Sequence, residues 1–381
     1  MVIIVAGLLA ASIAGCVYLL AATIAVRRFV RRRAPAAAAS PVGVSILKPL
    51  HGEEPRLYDN LLSFCRQNHA NVQIVFGVRD PADSAIPVVR RLIADCPGQD
   101  LALVIDPAIS GSNLKVSNLE NMLGKAKHPV LVIADSDMEV GPDYLGAITP
   151  PLAEDGVGLV TCLYRGRPIP GLAARLGALW VNHGFLPSAL VGEWLRPGNA
   201  CFGATMALRR STLDAIGGFA PLRDRLADDY ALGEAVRRLG KRVVLSPYLV
   251  DTVVAEASFP ALLRHELRWT RTIRTIAPLG FAASFITHPV ALAALAAAVD
   301  AFAAPSLAVL ASALACRHLT VRLVDRALGL PPSPAWLVPL RDLLSFAVFV
   351  VSFCGNTVAW RERSFRVDAE GRLVSNGDAS A

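Results

Sequence analysis

From Met1 to Val26 the chain carries no charged side chain, and as a helix rising 1.5 Å per residue such a run spans a hydrocarbon layer of roughly 30 Å. A cleaved leader has a charged start and a shorter apolar centre, so residues 1–26 predict a retained transmembrane anchor. Arg27, Arg28, Arg31, Arg32 and Arg33 follow at once, and the positive-inside rule places the next domain on the cytoplasmic face. Residues 27–41, basic and then rich in Ala and Pro, read as a linker.

Beyond Pro41 short apolar runs alternate with helical segments. Val44 to Leu47, Val72 to Val78, Leu101 to Ile105 and Val130 to Ala134 predict buried strands. Helices are expected near Leu57 to Gln67, Ile86 to Asp95 and Leu114 to Lys127. This alternation predicts an α/β domain over residues 42–257, with a mostly parallel, doubly wound sheet and right-handed crossovers. Residues 258–278 contain RHELRWTRTIR, a basic interfacial helix whose period places His265, Arg268 and Trp269 on one face and Arg271 and Arg274 near a membrane surface.

From Leu279 the chain turns apolar again in pieces, through Ala291 to Val299, Ser306 to Cys316 and Leu343 to Trp360, broken by Asp300, Pro305 and the polar stretch Arg317 to Arg326. Each piece is near the lower length for crossing, so residues 279–360 predict two or three membrane helices, some re-entrant. Arg361, Arg363 and Arg366 predict a cytosolic tail over 361–381, which requires an even number of crossings after the soluble domain.

Composition agrees with this division: 54% hydrophobic and 18% charged residues lie outside the range of about 45–50% and about 25% usual for soluble domains. The net charge of +7 sits largely beside apolar segments, which favours anionic lipid over nucleic acid as partner. Seven scattered cysteines with no CxxC spacing exclude a disulfide framework and a zinc site, and predict a reducing compartment for the soluble part.

In open parallel sheets ligands bind at the carboxyl ends of the strands, which here are Lys48, Asp80 and the Asp135-Ser136-Asp137 triplet. Two carboxylates one residue apart in a turn can face one Mg²⁺ or Mn²⁺, and that ion binds diphosphate oxygens. The bland alternative is a polar turn capping the next helix. Asp80 in VRDPAD also reads as an Asp-Pro turn. Asp228 and Asp229 in LADDY open a helix through Ala231 to Leu239, either as caps or with Asp229 as general base toward a hydroxyl. On the basic helix Arg268 and His265 can neutralise a departing diphosphate, and Trp269 offers an apolar plate. A dehalogenase-type phosphatase would need its DxD on the first strand, whereas several strands precede this one. The non-enzymatic alternative is a small membrane transporter or assembly factor whose acidic residues are structural; a transporter would show repeated membrane halves with polar residues facing a cavity, and no such repeat is seen.

Taken together, the Asp after the second strand, the DxD, the acidic pair and the RW helix before apolar segments resemble the processive and ceramide-type inverting glycosyltransferases of GT-A fold. SILKPLHGEEPRLYDNLLSF, GLVTCLY, CFGATMALRR, ADDY and WRERSFRV are similar to the ceramide glucosyltransferase family. Within it, CRQNHANVQIVFGVRDPAD, KVSNLENM and HELRWTRTIR resemble the glycosyltransferase associated with hopanoid biosynthesis. The resemblance implies that Asp80 contacts uridine, that Asp135 and Asp137 serve metal and diphosphate, and that Asp229 is the base. Lys115 and Asn118 match its nucleotide-side segment, His183 in WVNHGF a histidine near its acceptor site, and Arg268 and Trp269 its RW pair. His265 departs from the family's (Q/R)xxRW, replacing a charged or amide group with one that titrates near neutrality. The implied activity moves a sugar from a UDP-sugar to a membrane lipid at a bacterial cytoplasmic membrane, with the catalytic domain facing the cytoplasm. N-acetylglucosamine to a hopanoid polyol such as bacteriohopanetetrol is the first expectation, and glucose to ceramide the alternative.

Overall fold

The structure is a computed structural model that describes residues 1–32, 42–355, 357–360, 363–367 and 371–375. The linker beyond Arg32, the tail's Arg361 and the side chains of Arg363 and Arg366 lie outside the described residues. The chain divides into two compact units, one of Arg32–Ile169 with Leu195–Ala255, the other of Met1–Arg31, Pro170–Trp194 and Glu256–Ala381. The segment Pro170–Trp194, expected within the α/β domain, thus belongs with the helices. Its apolar residues Leu176 and Leu179 are buried with Leu262 and Leu337 there.

The chain opens with helix α1 (Val2–Arg31), which belongs to the helical unit. In the sheet unit, β1 (Val44–Pro49), β2 (Val72–Val78), β3 (Asp100–Ile105) and β4 (Val130–Ile133) run parallel in the order β3-β2-β1-β4. They are connected by α2 (Leu57–Cys65), α3 (Ala85–Asp95) and α4 (Leu114–Leu123). β1 and β4 are buried at every residue, which is why they read as unbroken runs rather than alternating ones. Successive side chains reach opposite faces: Ile46 joins the core with Phe64 and Tyr144, while Leu47 joins that with Leu119 and Leu232. α4 stops at Leu123 short of the expected Lys127, because Gln73 takes over the backbone there, donating to Lys125 O and accepting from Lys127 N.

The other half of the sheet is mixed. β7 (Met206–Arg209) pairs antiparallel with β4 and with β6 (Val157–Pro168), β8 (Arg242–Val254) runs parallel to β6, and β5 (Met138–Glu139) closes the edge antiparallel to β8. Short helices α5 (Tyr144–Ile148) and α8 (Arg210–Ala215), and the longer α9 (Asp228–Arg238), flank these strands in sequence.

The helical unit adds α6 (Leu172–Trp180), a π-helical turn at Val181–Phe185, α7 (Leu186–Leu195), α10 (Phe259–Ile276), α11 (Pro278–Ala283), α12 (Pro289–Val299), α13 (Ala304–Leu328) and α14 (Leu337–Ser352). Beyond them lie β9 (Thr357–Trp360), β10 (Arg363–Val367) and β11 (Leu373–Ser375), which form an antiparallel sheet. Among the described residues α1 and α13 are long and apolar enough to cross a membrane, and the segment from α11 through α12, bent by 68°, makes a third if it acts as one span. α1 continues through Arg27, Arg28 and Arg31, so these expected linker residues form its last turns. α13 runs unbroken through Arg317 to Arg326 where a break was expected, because its buried charges are paired: Arg317 with Asp342 at 2.9 Å and Asp325 with His183 at 3.0 Å. α14 ends at Ser352 instead of reaching Trp360, and its 16 residues span only about 24 Å. Close packing holds α1: a Cβ on Gly15 would lie 2.2 Å from Ile286 O, and Ser12 Oγ donates to Pro289 O.

α10 docks through Leu262 and Glu266, its two buried residues. Arg341 of α14 grips Glu266 with both guanidinium ends, at 2.6 and 2.9 Å. Removing one partner leaves a desolvated charge, so Arg341→Met is expected to cost about 3–5 kcal/mol, whereas the double change Arg341→Met with Glu266→Leu is expected to restore most of it. Thermal unfolding of the detergent-purified variants checks this; equal melting of wild type and single variant would contradict it.

Candidate active site

The turn after β4 is held in place by the sheet unit's own side chains. Lys48, last but one in β1, donates from Nζ to the main-chain oxygen of Asp135 and lies 3.8 Å from the centroid of the Phe64 ring. Asn60 donates to Ser136 O at 3.4 Å, Ser136 Oγ donates to Glu54 Oε2 at 2.6 Å, and Thr252 Oγ1 donates to Asp137 Oδ2 at 2.8 Å.

Lys115 sits in the first turn of α4, whose N-cap Asn113 accepts from the Lys115 and Val116 amides. Its ammonium lies 2.7 Å from Asp135 Oδ1 and 3.2 Å from Asp228 Oδ2. Asp229 follows in the first turn of α9, accepting from Gly203 N at 2.9 Å and Tyr230 N at 2.7 Å. A Cβ on Gly203 would stand 3.1 Å from Asp135 Oδ2 and 3.5 Å from both Asp229 Oδ2 and Lys115 Nζ. Asp135, Asp228, Asp229, Lys115 and Gly203 therefore meet at one point, brought there from β4, α9, α4 and the segment before β7.

The electrostatics follow from crowding of carboxylates away from water. Burial, together with the charges of Asp135 and Glu54, pushes the Asp137 carboxyl up to about 7. Burial and then Asp228 raise Asp229 to about 6, against the pull of Lys115. Burial brings Lys48 down to about 7 against the attraction of Asp137 and Asp135, whereas for Lys115 the carboxylates Asp135 and Asp228 outweigh burial and raise it.

Among the described residues no three His, Cys, Asp or Glu side chains form a closed metal cage. The donor set is instead open: two hard carboxylates with surplus negative charge, Asp135 about one-third exposed, leave positions for phosphate oxygens and water. That chemistry fits Mg²⁺ or Mn²⁺.

Two expected nucleotide-side residues make hydrogen bonds within the fold. Asp80 is exposed and its Oδ1 accepts from Ala82 N at 2.8 Å, the Asp-Pro turn of the bland reading. Asn118 is buried and donates from Nδ2 to Gly77 O at 2.8 Å, tying α4 to β2. A Cβ on Gly77 would lie 2.2 Å from Met122 Sδ and 2.4 Å from Asn118 Oδ1, so a larger residue there would displace both side chains.

The remaining predicted residues lie in the helical unit. His183 is buried in the π-helical turn, with Nε2 3.0 Å from Asp325 and its carbonyl accepting from Arg317 at 3.1 Å. On α10, His265 and Trp269 are in contact, their ring centroids 4.4 Å apart at 66°, and Arg268 is half-buried between them in sequence. Trp269 also packs on Trp180 at 5.0 Å and on Phe185 at 6.3 Å. Arg271 and Arg274 donate to Cys354 O and Gly355 O, just beyond the end of α14.

Sequence reasoning assigned no role to Glu54, Gly203, Glu256, Glu266 or Arg341, and placed Lys48 only at a strand end and Asp228 only at a helix start. The available signals were Gly203 and Glu266 lying inside motifs already singled out.

A parallel half-sheet continued by mixed strands, with carboxylates at its carboxyl edge, defines the GT-A class of glycosyltransferase folds. The structure is similar to a mannosyltransferase from Pyrobaculum calidifontis solved in complex with GDP-Man and Mn²⁺, at TM-score 0.55 and 19% identity, covering 91% of this chain and 98% of that one. The chain belongs to glycosyl transferase family 21, whose model matches residues 7–373. It is 28% identical over 208 residues to ceramide glucosyltransferase 1 of Caenorhabditis elegans, covering 54% of this chain and 44% of the relative. It is 25% identical over 233 residues to ceramide glucosyltransferase 3 of the same organism, covering 60% of this chain and 50% of that one. The chain thus spans about half the length of these curated relatives.

Proposed function

We propose that the chain is a membrane-bound inverting glycosyltransferase that moves a sugar from a UDP-sugar to a lipid hydroxyl. The observation that carries this reading is the meeting of Asp135, Asp228 and Asp229 around Lys115 at the carboxyl edge of the sheet. The helices long and apolar enough to cross a membrane support a lipid acceptor.

Asp229 is assigned the general base. Its two oxygens are oriented by Gly203 N–H and Tyr230 N–H, and its raised carboxyl is a stronger base than an exposed aspartate. It takes the proton of the lipid hydroxyl as that oxygen attacks the anomeric carbon opposite the leaving UDP, so an α-linked donor gives a β-linked product. Asp135 and Asp137 would hold the Mg²⁺ or Mn²⁺, whose positive charge, when bound, stabilises the diphosphate. On motif resemblance, Asp80, Lys115 and Asn118 are assigned to the nucleotide side, Arg268 and His265 to the diphosphate, and His183 and Trp269 to the acceptor.

Two substrate pairs are open to test. UDP-glucose with ceramide is supported by the names of the relatives, and UDP-N-acetylglucosamine with bacteriohopanetetrol by the KVSNLENM and HELRWTRTIR strings. The proposal places the sheet unit on the cytoplasmic face of a bacterial inner membrane, as the arginines closing α1 suggest. UDP release by the purified chain with each pair tests the reading. Release that depends on the lipid is expected, and donor hydrolysis indifferent to lipid would contradict it.

Asp137→Ala is expected to weaken Mn²⁺-dependent UDP binding about tenfold or more, because one of two metal carboxylates is lost. Calorimetry with UDP and Mn²⁺ reads this directly, and an unchanged affinity would remove Asp137 from the metal site.

A further inference from the structure

Glu256 stands in the segment leading into α10, and its Oε1 pairs with His265 Nδ1. The carboxylate is largely buried and its other oxygen, Oε2, is buried with no hydrogen-bond partner, whereas the His265 side chain is 34% exposed. The indole of Trp269 packs against the same imidazole and is itself held by Trp180. Ring position is thus fixed from two sides, by a carboxylate on Nδ1 and by an aromatic edge.

The chemistry of the pair is directional. Burial would raise the Glu256 carboxyl, but the hydrogen bond and charge of His265 outweigh it and hold it below the usual carboxylate range. An ionised carboxylate only accepts, so the proton of the shared bond resides on Nδ1. With the proton on Nδ1, Nε2 is the ring's remaining polar atom, and in the neutral ring it accepts a hydrogen bond along a direction the pair fixes.

We propose that Glu256 is a positioning residue for His265, the two forming one unit that fixes the rotation and tautomer of the ring, and so the direction of Nε2, at the first position of HELRW, where the family motif has Gln or Arg. The inference rests on the reading of this helix as part of a glycosyltransferase. It accounts for how histidine serves at a position where an unsupported imidazole would be neither fixed in rotation nor set in tautomer.

A double-mutant cycle tests it, using turnover by the full detergent-purified chain with UDP-glucose and ceramide and with UDP-N-acetylglucosamine and bacteriohopanetetrol. Glu256→Ala is expected to lower kcat about tenfold in the wild-type background. His265→Gln, which restores the family's amide, is expected to stay within about fivefold of wild type, and adding Glu256→Ala to it to cost less than about twofold. Glu256→Gln replaces Glu256→Ala in the cycle if thermal unfolding shows the alanine variant is not folded. An equal cost of losing Glu256 in both backgrounds makes the residue merely structural and overturns the proposal, as does no cost in wild type. His265→Ala distinguishes this from failure of the underlying reading: full turnover in that variant would remove the motif's role altogether.

Discussion

Asp229→Asn is expected to abolish sugar transfer, by about a thousandfold or more, while leaving UDP binding intact. The amide keeps the shape of the carboxyl and can still accept from Gly203 N–H or Tyr230 N–H, but it takes no proton. In the wild type the same group sets the acid side of the pH profile. With the carboxyl raised to about 6 by burial and Asp228, the base is protonated and idle below that pH, so kcat should climb as pH rises through about 6 and level off above it. Stopped turnover with unchanged calorimetric UDP affinity would support the assignment, and near-normal turnover in the asparagine variant would refute it.

Lys115→Met is expected to lower turnover about a hundredfold and to move that acid limb to higher pH. The lysine lies 2.7 Å from Asp135 and 3.2 Å from Asp228, so its loss leaves these two carboxylates facing one another without the charge between them. Lys115 is also what restrains the Asp229 carboxyl, and without it burial and Asp228 act unopposed by that charge. The direction is therefore fixed: Asp229 becomes harder to ionise, and a higher pH is needed for the same fraction of active base. A pH profile unmoved in Lys115→Met would show that the lysine and Asp229 are not electrostatically linked. Loss of turnover with a moved profile separates this from a folding defect, which lowers amplitude without shifting the limb.

The parallel half of the sheet was legible because β1, β2 and β4 are buried on both faces or nearly so, and burial writes itself as continuous apolar runs. The mixed half was not. β6 ends in Tyr164, Arg165 and Arg167, and β8 carries Ser246, Asp251 and Thr252, so their periodicity is interrupted where they approach the site edge. The break expected in α13 followed from charges that look unsuited to a membrane helix, and only their partners Asp342 and His183, distant in sequence, make them compatible with one. At the site, Asp135, Asp137 and Asp229 stood out as carboxylates at strand and helix ends. Lys48 stood at a strand end, but that its ammonium holds the Asp135 main-chain oxygen, and that Gly203 leaves Asp135 open to approach, shows only in the structure. Asp80 supports both readings of VRDPAD: its Oδ1 closes its own turn here, as the Asp-Pro reading expected, and the proposed uridine contact rests on the motif resemblance.

The most direct test of the account is mass spectrometry of lipids after incubating the purified full chain and its Asp229→Asn variant with UDP-glucose or UDP-N-acetylglucosamine, a divalent cation, and ceramide or bacteriohopanetetrol. The account predicts one glycosylated lipid, formed with stoichiometric UDP by the wild type and missing from the variant. Absence of any sugar-bearing lipid from folded wild-type protein with all four combinations, or equal product from the variant, would contradict it.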